Sequence, residues 1–346
     1  MPAHDSFIET NLFWSICRGK RFCRLGLLLL VVIGLQACGT LKPHKTLVLG
    51  KNEQYAVVIA GSGETHANLA ERFLGDPGQY WRIADANEGT QIKRGQTLVI
   101  PLQSPNVSGV YADGLQTVPL LSYHRFGAGK GKLSVARREF ERQMEYLKQH
   151  DYRVIPLSQV QAFLRGEAAI PRRSVVLTID DGYRSVYQIA YPVLKKYNYP
   201  ATIFIYSDYI GNGGLTWSQM QEMEASGLIS FQSHSKTHDN LTLRLPVESM
   251  DDYKARLVDE VRVPSEKLNQ RMRHPTWSFA YPFGSVNQKV VDELKRSGYQ
   301  MGVTVDRGAN PFFTYPYTLR RIMIYESDGM PEFIEALQVY QDRNLK

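Results

Sequence analysis

Cysteine is scarce in this chain of 346 residues, which contains only Cys17, Cys23 and Cys38, all before residue 39. The rest of the chain can therefore form neither an internal disulfide nor a thiolate metal site, and any metal there must be held by His, Asp or Glu. Hydrophobic residues make up 43% of the chain and charged residues 22%, which excludes a disordered, collagen-like or coiled-coil protein. At about 150 residues per domain, the length predicts roughly two domains.

Long runs of one charge are also lacking, and the formal net charge of +7 is spread along the chain. A mildly basic surface suits an anionic envelope polymer as well as nucleic acid. Because the sequence contains no recognisable nucleic-acid-binding motif, we do not expect nucleic acid to be a partner.

A hydrophobic run long enough to cross a bilayer is lacking too. Residues 25–35 form an apolar run of eleven residues after a basic stretch, whereas a helix that spans a bilayer needs about 20. This arrangement is typical of a signal peptide.

The ending Leu35-Gln36-Ala37-Cys38 resembles a bacterial lipobox. The resemblance implies that residues 1–37 are a lipoprotein signal peptide and that Cys38 is lipidated, which anchors the protein in the cell envelope, in the outer membrane facing the periplasm. A plain membrane anchor and a cleaved signal without lipid are the alternatives.

Residues 54–101 predict a small α+β domain. Strand-like apolar runs at residues 55–60 and 97–101 flank two helix-like patterns, at residues 64–74 and 79–87. This strand, helix, helix, strand order resembles a LysM domain. The matching elements are Gly63-Glu64-Thr65, the Leu69-Ala70 pair, Asn87 and the run at residues 95–101. The resemblance implies binding of a glycan that contains N-acetylglucosamine, and a spacer that binds nothing is the alternative.

Residues 102–117 are rich in turn-forming residues and predict a linker. From residue 118 to the end, short apolar runs alternate with longer helical patterns, which predicts parallel strands with helices outside them, in a barrel or a doubly wound sheet. The predicted strands lie at residues 118–122, 153–155, 174–179, 201–205, 228–232, 276–280, 300–304 and 319–324. The predicted helices lie at residues 135–149, 157–165, 185–196, 217–225, 251–273, 286–297 and 331–341.

Polar residues follow four of the predicted strands directly. Because the C-terminal ends of the strands of a (β/α) barrel share one face, we expect these segments to converge on one pocket. The four segments are His124, Asp180-Asp181-Gly182, the stretch from Ser233 to His238, and Tyr281-Pro282-Phe283-Gly284.

The residue types in these segments suit a hydrolytic metal site. Two adjacent carboxylates after a buried strand, Asp180 and Asp181, are costly unless a cation compensates for them. His234 and His238 are four residues apart, so on a helical turn both imidazoles face one way and, with one carboxylate, make a His₂-carboxylate set. Three protein ligands leave positions open for water and a carbonyl oxygen. Each segment alone has a structural explanation, and their joint occurrence at strand ends favours catalysis.

Over residues 118–345 the chain resembles the polysaccharide deacetylase family, the NodB-homology carbohydrate esterases. Residues 178–182 are similar to the first motif of that family, and residues 234–238 to the second. The resemblance implies an α/β fold in which a distorted (β/α) barrel, residues 118–346, follows the LysM-like domain. It also implies that Asp180 is the catalytic base and that Asp181, His234 and His238 bind a divalent metal, most often zinc.

Two motifs of that family are altered in this chain. Ala280 stands where the family often has an arginine that positions the base, so Arg321 or Arg184 is expected to orient Asp180 instead. At the C-terminal motif, Tyr325 ends a stretch in which the family has a histidine, the usual general acid.

A subgroup that resembles the biofilm poly-N-acetylglucosamine deacetylases carries a Tyr-His motif in its first strand, and Tyr123-His124 matches it. This resemblance implies that His124 is the general acid, and Asp306 is a candidate for holding its imidazole. By position, the backbone N–H of Phe283 would donate to the oxyanion.

The resemblance as a whole implies metal-dependent hydrolysis of N-acetyl groups from an envelope or extracellular polysaccharide that contains N-acetylglucosamine, with release of acetate. Tyr183, Trp217 and Tyr281 are candidate platforms for sugar rings, and a place in the core is the alternative for each. The alternative functions are a catalytically impaired, glycan-binding envelope lipoprotein and a deacetylase of O-acetyl esters.

Overall fold

The computed structural model describes residues 45–88, 91–127 and 131–342. The predicted signal peptide, residues 1–37, and the predicted lipidation site, Cys38, lie outside these residues. Among the helices that the structure describes, none is both long and apolar enough to span a membrane.

The N-terminal domain is a three-stranded antiparallel sheet that packs against two helices. Its elements are β1 (Leu47–Lys51), β2 (Tyr55–Ile59), α1 (His66–Leu74), α2 (Tyr80–Ala86) and β3 (Thr97–Pro101). Alternate residues of β2 and β3 are buried, and they pack against Leu69, Ala70 and Ile83 of the helices. The predicted strand, helix, helix, strand order is present. The sequence analysis did not predict the additional strand β1. All five of its residues are exposed, so the strand has no alternation of buried and exposed positions.

Residues 102–117, which we expected to be a linker, contain two short strands, β4 (Val110–Tyr111) and β5 (Gly114–Gln116). The strand Tyr340–Asp342 pairs with β5 to complete an antiparallel sheet. The helix predicted at residues 331–341 accordingly ends at Glu335, because the last of those residues bond to β5 instead. A Cβ atom at Gly114 would lie 2.5 Å from the Gln341 carbonyl oxygen, so the close approach of these strands requires glycine.

The C-terminal domain contains the remaining elements. Its strands are β6 (Val118–Tyr123), β7 (Arg125–Phe126), β8 (Ser134–Val135), β9 (Arg153–Val154), β10 (Ser174–Ile179), β11 (Ala201–Ile205), β12 (Ile229–Ser233), β13 (Ser278–Ala280), β14 (Met301–Val303), β15 (Ala309–Asn310), β16 (Ile322–Met323) and β17 (Tyr340–Asp342). Its helices are α3 (Arg137–Gln149), α4 (Leu157–Leu164), α5 (Tyr191–Tyr197), α6 (Trp217–Ala225), α7 (Met250–Arg271), α8 (Gln288–Arg296) and α9 (Met330–Glu335).

The main sheet has the order β14-β13-β12-β11-β10-β6, and β16 also pairs with β6. All of these pairs are parallel, and β6 and β10 are buried along their whole length, as expected for strands covered on both faces. A parallel bridge from Val303 to Leu319 brings the chain next to β16 back towards β14. The sheet is therefore curled, which fits the predicted distorted (β/α) barrel.

The pairing register brings the C-terminal ends of the central strands within two residues of one another, since Ile179, the last residue of β10, pairs with Ile203 of β11. Tyr123 pairs with Ile179 across β6 and β10, and Ile205 pairs with Ser233 across β11 and β12. Ser233 in turn pairs with Phe279 of β13. The residues that follow these strands consequently meet at one edge of the sheet, as the sequence predicts.

One turn at this edge requires glycine. Gly284 has a φ of +71°, and a Cβ atom there would lie 2.7 Å from the backbone nitrogen of Val305. Gly298, at a φ of +84°, has nothing within 4 Å of the same position. The two sites share the left-handed backbone conformation and differ in crowding.

Gly284→Ala is expected to lower the free energy of unfolding more than Gly298→Ala. Both variants incur the left-handed strain of about 1–2 kcal/mol, and only Gly284→Ala adds an overpacking cost of about 1–3 kcal/mol. Urea unfolding of the two variants measures the difference. Equal losses of stability would show that the contact with Val305 does not constrain position 284.

Candidate active site

Strand β10 ends in two adjacent buried carboxylates with different partners. The backbone nitrogen of Asp180 donates to the Tyr123 carbonyl, which extends the pairing of β6 with β10 by one residue. Asp181 then adopts a left-handed backbone conformation, with a φ of 69°. Such a conformation costs an L residue about 1 kcal/mol or more and occurs often at functional sites. This turn separates the two carboxylates: Asp180 pairs with Arg321 and Asp181 lies nearest His238, while Nε2 of His234 lies 4.0 Å from Asp180 and 3.6 Å from Asp181.

Asp181, His234 and His238 come together as predicted. The Oδ1 atom of Asp181 lies 3.6 Å from Nε2 of His234 and 3.4 Å from Nε2 of His238. Donors bound to one zinc ion in a tetrahedron are separated by about 3.4 Å. Within the described structure, Asp181 Oδ1 is buried without a hydrogen-bond partner, which is costly for an ionised oxygen unless a cation lies nearby. The three side chains therefore fit a divalent metal.

A backbone carbonyl fixes the orientation of His234. Its Nδ1 atom lies 2.8 Å from the Ala280 carbonyl oxygen, and since that oxygen can only accept, Nδ1 carries the proton. The lone pair is then on Nε2, which faces Asp181. Burial lowers the pKa of His234, which favours the neutral imidazole that binds a metal.

The second histidine is placed by a loop, so the predicted helical turn between His234 and His238 is wrong. Ser235 and His238 both have a φ of 70°, and the His238 backbone nitrogen donates to the Ser235 hydroxyl. This loop brings the two imidazole centroids within 4.7 Å. The four-residue spacing thus identifies the pair of candidate ligands, although a loop rather than a helical turn brings the two imidazoles together.

Arg321 orients Asp180. Its Nη1 and Nη2 atoms donate to the two carboxylate oxygens of Asp180, both at 2.7 Å, and its Nε donates to the Thr304 carbonyl. Of the two arginines considered above, Arg184 instead donates to the Gly214 carbonyl. Burial alone would raise the pKa of Asp180, but the charge of the fully buried Arg321 outweighs it and holds that pKa well below its usual range. Asp180 is thus ionised at neutral pH.

His124 lies beside Asp180, with Nε2 at 3.8 Å from Oδ2 of the carboxylate. Its Nδ1 atom is buried and has no hydrogen-bond partner among the described residues, so the expectation that Asp306 holds this imidazole is wrong. Asp306 instead accepts a hydrogen bond from the Arg321 backbone nitrogen through its carbonyl oxygen. Burial lowers the pKa of His124, and the negative charges of Asp180 and Asp181 offset part of this effect.

Phe283 lies in the turn that follows β13, with a φ of 59°. The residue is 63% exposed, and its ring meets the imidazole of His238 edge-on, with centroids 4.8 Å apart. The residue predicted to supply an oxyanion donor therefore contacts a candidate metal ligand.

The three predicted sugar platforms lie in different environments. The ring of Tyr183, two residues after Asp181, lies 3.9 Å from the guanidinium of Arg125, which follows His124. Tyr281 is fully buried and its hydroxyl donates to the Tyr317 carbonyl, so the prediction of a substrate contact is wrong. Trp217 packs against the main core and against the Arg271 guanidinium, so it is not the open platform that we predicted.

Two tyrosines that the sequence analysis did not single out belong to the site. The ring of Tyr206, the residue after β11, lies 5.3 Å from that of His238 and stacks on Tyr209 at 4.9 Å. Tyr209 meets Tyr183 edge-on at 5.7 Å. Burial raises the pKa of Tyr206 to about 12, so its phenol keeps its proton. Its position after a central strand is the signal that could have identified it.

Comparisons with known proteins bear on the family. The polysaccharide deacetylase family model matches residues 168–302. A Bacillus subtilis protein named as a polysaccharide deacetylase, YxkH, is 35% identical over 215 residues, which cover 62% of this chain and 72% of YxkH. The chain belongs to the polysaccharide deacetylase family. This confirms the resemblance seen in the two motifs and makes the protein a hydrolase of carbon–nitrogen bonds other than peptide bonds.

Other relatives of this deacetylase extend the comparison. The poly-beta-1,6-N-acetyl-D-glucosamine N-deacetylase of Staphylococcus aureus is 27% identical over 217 residues, 61% of this chain and 74% of that protein. The Streptococcus pyogenes deacetylase PplD, solved in complex with acetate, has a TM-score of 0.58 and 26% identity, covering 64% of this chain and 98% of that one. IcaB from Ammonifex degensii has a TM-score of 0.57 and 27% identity over 65% and 98% of the two chains.

Arg321→Gln is expected to raise the pKa of Asp180, because the positive charge is lost while the burial remains. The acid limb of the pH profile of kcat/KM for acetate release should therefore move to higher pH.

Breaking a buried ion pair should also lower the free energy of unfolding by about 3–5 kcal/mol at neutral pH. In the wild type this stabilisation is present above the ordinary aspartate pKa and is lost as the pH falls through the depressed pKa of the folded state.

Arg184→Gln is the matched control for this substitution, since Arg184 does not contact Asp180. Its pH profile and its urea unfolding should match those of the wild type. A wild-type acid limb in Arg321→Gln would show that Arg321 does not set the ionisation of Asp180.

Proposed function

We propose that this protein hydrolyses N-acetyl groups of a polysaccharide that contains N-acetylglucosamine, releasing acetate, with a divalent metal held by Asp181, His234 and His238. The observation that carries the proposal is the buried, unpartnered Asp181 oxygen between two imidazoles, directly beside the separately neutralised Asp180. The Staphylococcus aureus relative, named for deacetylating poly-beta-1,6-N-acetyl-D-glucosamine, supports this class of substrate. Zinc is the metal that the ligand types favour.

The side chains around this site divide the proton transfers between them. Asp180, kept ionised by Arg321, accepts a proton from the attacking water. His124 donates a proton to the departing nitrogen; burial lowers the pKa of its imidazole, and the charges of Asp180 and Asp181 offset part of this effect. The Phe283 backbone N–H donates to the oxyanion, an interaction typically worth about 3 kcal/mol. The metal, when bound, supplies Lewis-acid activation of water and of the acetyl carbonyl group.

Aromatic rings beside the metal ligands offer surfaces for sugar rings. We propose that the exposed ring of Phe283 and the stacked pair Tyr206 and Tyr209 contact the polymer on either side of His238. Tyr183, which meets Tyr209 edge-on, extends this surface towards Arg125.

The N-terminal domain and the leader add two further proposals. We propose that residues 54–101 are a LysM-like domain that binds the same polymer, on the strength of their strand, helix, helix, strand order. Lipidation of Cys38 and an envelope location remain predictions from the sequence. The alternative of a catalytically impaired binder relied on Ala280 in place of an arginine and on the missing C-terminal histidine. The pair of Arg321 with Asp180 removes the first ground, and the proposed acid role of His124 answers the second.

Asp181→Ala is expected to abolish both zinc binding and acetate release, because it removes the carboxylate that the two imidazoles share. Zinc content and acetate released from N-acetylglucosamine oligomers, β-1,4-linked and β-1,6-linked, measure the two effects. Asp306→Ala is the control, since its side chain takes no part in the site, and it should retain both. Full activity in metal-stripped wild-type protein would contradict the proposal.

His124→Ala is expected to bind zinc as the wild type does while its kcat falls by about 10²–10⁴-fold, the usual contribution of a general acid. Steady-state kinetics and zinc titration of the same preparation separate the two effects. His150→Ala changes an exposed histidine at the end of α3 and should be silent. Wild-type turnover in His124→Ala would assign the acid role to another group.

A further inference from the structure

Glu260 is a buried carboxylate on the long helix α7, and the proposed chemistry gives it no part. It is 2% exposed. Its Oε2 atom accepts hydrogen bonds from the backbone nitrogens of Lys236 and Thr237, both at 3.0 Å, and its Oε1 atom accepts one from the Thr237 hydroxyl at 2.7 Å. All three donors belong to the loop between the two candidate histidine ligands.

This loop has an unusual backbone. Ser235 and His238, on either side of the two residues that Glu260 holds, both have left-handed φ values of 70°. Side chains with a Cβ atom avoid that conformation unless the surroundings impose it. Two successive N–H groups that converge on one oxygen form a small anion-binding concavity, and hydrogen bonds to an ionised acceptor are roughly twice as strong as neutral ones. Glu260 is positioned to impose the conformation of the loop.

The two histidines differ in how they are held. His234 is buried, and its Nδ1 atom donates to the Ala280 carbonyl. The side chain of His238 is 25% exposed, and its backbone nitrogen donates to Ser235 at the start of the same loop. The direction of the His238 imidazole therefore depends on the loop.

We propose that Glu260 is a positioning residue for the metal centre. It holds the backbone of residues 236–237 so that Nε2 of His238 faces Asp181, at the 3.4 Å separation that a shared metal ion requires. Since α7 also bonds to the residues after β11, through Lys267 and Asp208, the helix supports this edge of the site as a unit. The inference rests on the metal site of the proposed function.

The test compares two buried glutamates with similar bonding. Glu224, on α6, is 3% exposed and accepts hydrogen bonds from the backbone nitrogens of Arg273 and His274 and from the His274 ring. These donors lie in the loop after α7 and contact no candidate metal ligand. Glu224→Gln thus weakens a buried carboxylate network of the same kind, away from the metal.

Zinc affinity, measured by competition with a chromophoric chelator, is the main readout. Glu260→Gln is expected to raise the Kd for Zn²⁺ about tenfold, and Glu260→Ala up to about a hundredfold, the range found for residues that orient metal ligands. Glu224→Gln should change the Kd for Zn²⁺ less than twofold, even if it lowers the melting temperature of the protein as much as Glu260→Gln does. The d–d absorption of the Co²⁺-loaded protein should change in Glu260→Gln and stay as in the wild type in Glu224→Gln.

A smaller substitution keeps the test decisive if Glu260→Ala does not fold. Thr237→Val removes one hydrogen bond and should raise the Kd severalfold, and Thr237→Ser, which keeps the hydroxyl, should restore it. Wild-type Kd values in both Glu260→Gln and Thr237→Val would overturn the proposal. If Asp181→Ala bound zinc as tightly as the wild type, the metal site itself would be wrong, which is a different result.

Discussion

Two carboxylates at the end of one buried strand repel each other and lose their hydration, and the site depends on how each is neutralised. Asp180 is neutralised within the protein by the two terminal guanidinium nitrogens, Nη1 and Nη2, of the buried Arg321. Asp181 has an oxygen without a hydrogen-bond partner in the described structure, close to two imidazoles. Because one is neutralised by protein and the other suits a metal, adjacent residues of identical type can act as base and as ligand.

The register of the parallel sheet makes this division possible. β6 and β10 end at one level, which aligns His124 with Asp180, and β11 and β12 end at another, which aligns Tyr206 with His234. Because Ile179 pairs with Ile203, the second level lies only two residues beyond the first. The family model matches residues 168–302, and both His124 and Arg321 lie outside that range. They reach the site because β6 pairs with β10 on one side and with β16 on the other, so Arg321, just before β16, extends through the interior to Asp180.

Local patterns predicted most of the elements and failed where longer-range contacts prevail. The bounds of β10, β11 and α6 agree with the prediction, since β10 and β11 are short continuous apolar runs and α6 begins after a capping box formed by Thr216 and Gln219. The helix predicted at residues 331–341 ends early because β17 pairs with β5, a strand that is distant in sequence. The supposed helical turn at the second motif is a loop because Glu260 binds its backbone nitrogens.

By itself the sequence determined the chemistry available: the paired carboxylates, the two histidines, the alternation of strands and helices, and the motifs that revealed the family. These are properties of residue type and of short spacings in the sequence, and they do not depend on how the chain folds. Only the tertiary structure decided that Arg321 rather than Arg184 neutralises Asp180, across 141 positions, and that Tyr281 lies in the core. Such choices depend on strand register and side-chain direction, which no short stretch of residues encodes.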